Sequence, residues 1–161
     1  KFDPEIYSGG SEITVPDVFD GVLVTAIAQK GFNGADFMTS VTLPASVSVL
    51  HDRAFSGCTA LSSVKLGEKL NTVSSYAFFG CKSLESIEIP EGCTVIENRA
   101  FNKCANLKSI SLPSTLTEIG IYAFSNCDAL KTVNFNGTNE RLLQICSPEG
   151  NEILFKEGTK Q

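Results

Sequence analysis

Apolar residues return along this chain at a fixed interval of 23 positions. Phe32, Phe55, Phe78, Phe101 and Phe124 keep the interval without a slip, as do Met38, Leu61, Leu84, Leu107 and Leu130. Two further columns, Val41/Val64/Ile87/Ile110/Val133 and Leu43/Leu66/Ile89/Leu112/Phe135, alternate with polar residues and have the period of a strand with one buried face. Val24/Val47/Leu70/Cys93/Leu116 and Ile27/Leu50/Val73/Ile96/Ile119 complete the unit, and predict a short strand on an opposite wall. Residues 24–138 form five such units, 115 of the 161 residues, with no insertion or deletion. A single unit cannot bury its own apolar side, so the units must stack. Stacked at the strand spacing of about 4.8 Å, five coils make a rod about 24 Å long.

Turn residues punctuate the same period. Pro44, Pro90 and Pro113, with Gly67 in their column, end the main strand. A turn of 3₁₀ type around each Ala-Phe pair is expected to return the chain to the first wall. Gly34, Gly57, Gly80, Lys103 and Asn126 share one position, which predicts a left-handed residue there. Lys103 is then either strained, at a cost on the order of 1 kcal/mol, or relaxed into a different turn. The ends depart from the pattern as caps do. Ile13-Thr14-Val15-Pro16 reads as the strand and stop of a widened first coil, because the loop through Asp20-Gly21 is longer than in the other units. Glu140 to Ile145 has helical apolar spacing and is expected to close the far end of the core. The organisation is thus one domain over 1–161, a mainly-β repeat solenoid with a capping coil over 1–23, repeats over 24–138 and a cap over 139–161.

The unit L-x-x-V-x-L-P-x-x-V-x-x-I-x-x-x-A-F-x-x-C resembles the BspA-like, or Treponema pallidum type, leucine-rich repeats. Ala54-Phe55-Ser56-Gly57-Cys58, Tyr76-Ala77-Phe78-Phe79-Gly80-Cys81, Arg99-Ala100-Phe101 with Cys104, and Tyr122-Ala123-Phe124 with Cys127 carry the resemblance. It implies a curved solenoid with parallel strands on the concave wall, exported by bacteria and displayed at the cell surface or secreted. It also implies a link to adhesion. Three positions depart from the pattern: Ala35 replaces the first Cys, Cys93 an aliphatic residue and Lys103 a Gly. The family offers no catalytic position to carry over.

Composition narrows the classes further. At 42% hydrophobic the chain can bury a core, and 13 Lys plus Arg against 18 Asp plus Glu give a net charge of −5, the wrong sign for a nucleic-acid binder. No apolar run approaches the roughly 20 residues that span a bilayer, so membrane insertion is not expected. Lys1 stands where an initiator Met would, so an export signal is expected upstream of this fragment. Six cysteines normally suggest three disulfides in an exported protein. Here Cys58, Cys81, Cys104 and Cys127 share a core column, where a thiol acts as a small hydrophobe. Parallel side-chain directions make the disulfide dihedral awkward, and a straight ladder cannot converge four ligands on zinc at about 2.3 Å. Cys93 and Cys146 are expected to be buried as well, Cys146 being the thiol best placed to react. Neither a metal nor a cofactor is expected. The single His51 reads as a surface residue.

Two surfaces carry candidate binding residues. On the solvent side of the main strand, Lys65, Glu88, Ser111 and Asn134 share a column, with Ser86 and Ser109 in the column beside it. This hydroxyl-rich face suits a hydrogen-bonding partner, or simply a soluble sheet. It shows no aromatic before Phe135, which the pattern assigns to the core. Along the turn edge, Lys30, Arg53, Tyr76, Arg99 and Tyr122 alternate cations and phenols, placing Arg99 between two tyrosine rings. That column is either a shield over the Phe ladder or a protein-contact strip, and nearby Phe79 is expected to protrude. Three functions follow. The first is a non-enzymatic, adhesin-like module that binds a host extracellular-matrix protein, a glycan or another bacterial surface protein. The second is a structural spacer with no ligand of its own. An enzyme is disfavoured, because the wall supplies Glu88 and Glu85 but no pair of carboxylates set for acid and base work.

Overall fold

A computed structural model describes residues 10–155 of the protein. The chain opens with β1 (Glu12–Thr14), the short strands β2 (Val18–Phe19) and β3 (Val22–Leu23), and β4 (Ala26–Ile27). It then alternates between two walls: β5 (Ser40–Thr42), β6 (Val49–Leu50), β7 (Ser63–Lys65), β8 (Thr72–Val73), β9 (Ser86–Glu88), β10 (Val95–Ile96), β11 (Ser109–Leu112), β12 (Glu118–Ile119) and β13 (Thr132–Phe135). The even-numbered strands from β4 to β12 form one five-stranded parallel sheet, and the longer odd-numbered strands line the concave wall of the solenoid. Every repeat-to-repeat pairing is offset by the sequence period, as in Val41↔Val64 and Ile110↔Val133. The longer wall divides into two three-stranded ladders, β1-β5-β7 and β9-β11-β13. The division falls beside Gly67, the residue that replaces Pro in its column. A Cβ there would stand 2.3 Å from the Pro44 carbonyl oxygen, so the second unit leans onto the first at this point.

The columns become ridges in the core. Phe55, Phe78, Phe101 and Phe124 are fully buried, and with Phe32 their rings stack at centroid spacings of 5.1–5.3 Å, near the strand repeat. Each such side chain contributes about 1.5–3 kcal/mol by leaving water.

The return from one wall to the other is where the structure departs from the expected 3₁₀ turn. In the second unit the amides of Ala54, Ser56 and Cys58 donate to the carbonyls of His51, Arg53 and Phe55. The amides between them, Arg53, Phe55 and Gly57, donate instead to Ser75, Ala77 and Phe79 of the next coil, at 2.8–3.0 Å. A 3₁₀ helix would aim every amide at its own coil and leave the next coil's carbonyls without donors. Alternating turns satisfy both. The first and third turns carry positive φ at their third residue, the mark of type II geometry. This gives the expected left-handed column, in which Lys103, at φ 64°, takes the strained option beside Gly57 at 76° and Asn126 at 58°. It also gives a second one. Lys30, Arg53, Tyr76, Arg99 and Tyr122 all lie at φ 56–59°.

The two ends are closed differently. β1 pairs with β5 as Ile13↔Val41, and the extra length of this first coil is the antiparallel β2–β3 hairpin. Asp20 and Gly21 both have positive φ there, as a two-residue I′ turn requires. At the other end, Thr138 caps helix α1 (Asn139–Ile145) by accepting from the Arg141 amide, and Leu142 and Ile145 cover the core. Cys146 then adds a parallel bridge to Ile119.

Candidate functional site

The turn-edge column closes on itself. The Arg53 guanidinium lies 4.4 Å from the Tyr76 ring centroid, and Arg99 sits between Tyr76 at 5.8 Å and Tyr122 at 4.7 Å. Gly150 of the cap continues the stack so closely that a Cβ there would reach 2.1 Å from Tyr122 Cδ1. The Tyr122 hydroxyl donates to Glu149, which pushes its pKa up because the neighbouring carboxylate disfavours the phenolate. Arg53 also pairs with Asp52 at 2.7 Å. Phe79 does not protrude as expected. It is half-buried under Tyr76, with ring centroids 5.6 Å apart, and Lys103 Nζ lies 5.3 Å from its centroid. The same left-handed backbone that tilts Tyr76 and Lys103 toward the edge covers it.

The thiols are closed in as well. Cys58, Cys81, Cys104 and Cys127 donate Sγ–H to the carbonyls of Phe32, Phe55, Phe78 and Phe101, each at 3.1–3.2 Å. Burial pushes Cys58 and Cys127 up to about 12, and Cys81 and Cys104 upward too. Cys93 and Cys146 rise to about 11 for the same reason. Thiolate chemistry at neutral pH is suppressed at all six.

The concave wall is open by contrast. Glu88, Ser111 and Asn134 stand on adjacent strands and line one cavity of about 350 Å³. Lys65 lies one coil away in the same column, outside the cavity, and Ser86 and Ser109, which begin β9 and β11 on the same solvent face, are outside it too. Glu91 joins the lining from the turn after β9, its carboxylate accepting from Asn136 Nδ2 at 2.7 Å and from Ser114 Oγ at 3.4 Å. Phe135, assigned to the core by its column, is half-buried and lines the cavity. Its strand is the last of the ladder among the described residues, so no further strand pairs with its outer side.

The BspA type leucine-rich repeat region matches residues 25–146 in six copies. The chain belongs to the BspA-type leucine-rich repeat family. A T. pallidum leucine-rich repeat protein is similar at 35% identity over 77% of this chain, with a TM-score of 0.76. A leucine-rich cell surface protein from Faecalibacterium prausnitzii is similar at 33% identity over 84%, with a TM-score of 0.78. This chain spans 58% and 35% of the lengths of those two proteins. The pneumococcal vaccine antigen PcpA, at 21% identity, shares the fold. No curated protein matches.

The BspA-type repeat accounts for the Phe, Cys and strand columns, but two residues that position the surfaces are not part of those columns. Asn151 is fully buried in the cap. Its Oδ1 accepts from the Phe124 amide at 2.9 Å, and its Nδ2 donates to the carbonyls of Gly120 and Ser147, each at 2.8 Å. Its Oδ1 thereby stands where the next coil's carbonyl would, as the Ala123 carbonyl does for the Phe101 amide. Glu91 is the other, hidden because its column holds Glu68 and Ser114 and reads as an exposed turn. Among the described residues no helix is long and apolar enough to cross a membrane.

Proposed function

We propose that this BspA-type solenoid is a non-enzymatic binding module, secreted or displayed at a bacterial cell surface, that holds a partner on its concave wall. The observation that carries the reading is the cavity shared by Glu88, Ser111 and Asn134, three units of one surface column brought to one place. Its size falls in the range of small-ligand sites, about 300–1,000 Å³. The likeness to a protein described as a leucine-rich cell surface protein supports the location. The Arg and Tyr side chains of the turn edge, already stacked on one another, support a shielding role for that column in preference to contact.

The reading is tested by solid-phase binding of the protein to extracellular-matrix proteins and glycans at low and high salt. Saturable binding that is lost in Ser111→Lys, which fills the wall, and kept in Tyr76→Ala/Tyr122→Ala is the expected result. Loss in the tyrosine variant alone moves the site to the turn edge. Absence of binding across the panel favours a spacer role for the repeats.

A further inference from the structure

Resting on that reading, we infer that the cavity of the third, fourth and fifth units is a subsite for one uncharged sugar ring, with Phe135 as its stacking platform. A pyranose ring has an apolar C–H face and a rim of hydroxyls, and it needs a site with the same division. This cavity has one. Phe135 is the partly exposed apolar side chain of the lining, Ile89, Leu112 and Pro113 being buried, while Glu88, Asn134 and Ser111 offer acceptors and donors. The Phe135 ring is braced from behind, since a Cβ at Gly137 would fall 2.6 Å from its Cε1. The platform is therefore fixed before a ligand arrives.

Charge selects among ligands. The lining contains two carboxylates and neither Lys nor Arg, so phosphates and acidic sugars are repelled. A metal ion is not favoured either, because among the described residues no three His, Cys, Asp or Glu side chains converge. A basic side chain is the competing ligand. Against it, Glu91 is already held by Asn136 and Ser114, and Lys65 shares the column of Glu88 one unit away. What is left is a neutral ring whose hydroxyls donate to Glu88 and accept from Asn134.

Saturation-transfer NMR of the intact protein tests this with the methyl glycosides of glucose, galactose, mannose, fucose and N-acetylglucosamine, and with a tri-lysine peptide. At least one glycoside is expected to receive saturation. Phe135→Leu, and separately the exposed Asn134→Ala, are expected to weaken that glycoside about tenfold, the scale of losing one ring contact or one hydrogen bond. Thermal melting of each variant checks that it is folded. No transfer to any glycoside overturns the assignment, and so does binding unchanged in both variants. Binding of tri-lysine alone, lost in Glu88→Gln, reassigns the cavity to a basic peptide. If a matrix protein is lost in Ser111→Lys yet is not displaced by any glycoside, the concave-wall reading stands and the sugar assignment falls.

Discussion

The turn edge and the concave wall of this solenoid repeat with the same period and use it in opposite ways. On the turn edge and in the core behind it, neighbouring coils attract one another: guanidinium on phenol ring, thiol on carbonyl, Phe on Phe. The cap then prolongs the order with Gly150 and Asn151. On the wall, the column Lys65, Glu88, Ser111, Asn134 changes chemistry at every step, and its last three members line an open cavity. A repeated residue gains from its copies and becomes structure. A varied column leaves its groups available, which is where recognition can be written into a repeat fold.

Alkaline pH is the strongest way to break the closed side. The thiols titrate near 9 when unfolded and near 11–12 or above when folded. Between those values the unfolded chain has lost protons that the folded one keeps, so stability falls as pH rises above 9 and is flat below it with respect to these groups. The fall approaches about 1.4 kcal/mol per thiol per pH unit, so the six thiols together remove on the order of 10 kcal/mol by pH 11, comparable to the whole stability of a small domain. Urea unfolding at pH 7, 9, 10 and 11 measures it. A flat profile would mean that the thiols are not sealed in the core.

Asn151→Ala comes next, expected to cost about 2 kcal/mol because it strands the buried Phe124 amide, whose partner is the Asn151 side chain. Urea midpoints of the variant and the parent check it. A cost below about 1 kcal/mol would show that the cap does not stand in for a coil.

How these features relate to the sequence is instructive. Phe55, Val41 and Cys81 were legible because period and burial coincide in them. The left-handed column at Lys103 was legible because Gly and Asn occupy its other positions. The second one, through Arg53 and Tyr76, was hidden: its residues are large and charged or aromatic, and their positive φ comes from the turn that sends each amide to the next coil's carbonyl. Asn151 occurs once, so no period marks it. The cavity was half legible, since the wall column announced Glu88, Ser111 and Asn134. The exposure of Phe135 arises only because the ladder stops there.

Two smaller effects sharpen the contrast. Lys103→Gly is expected to raise stability by about 0.5–1 kcal/mol, the relief of left-handed strain less the loss of its contact with Phe79. Differential scanning calorimetry reads this as a higher Tm, and a lower one would place the strain elsewhere. Glu88→Gln is expected to change stability by less than about 0.5 kcal/mol, as for surface substitutions generally. A larger loss in chemical denaturation would make the wall as structural as the turn edge.

The alternation of amides between a coil and its neighbour has a mechanical consequence. Bonds that join one coil to the next run along the long axis, so a pull on the two ends loads them one layer at a time, as in a zipper. Each 23-residue coil that peels away lengthens from one strand spacing of about 5 Å to as much as about 78 Å when fully extended. A protein tethered between two bodies in flow would yield in steps of roughly 70 Å rather than snap, and stretching single molecules would count those steps.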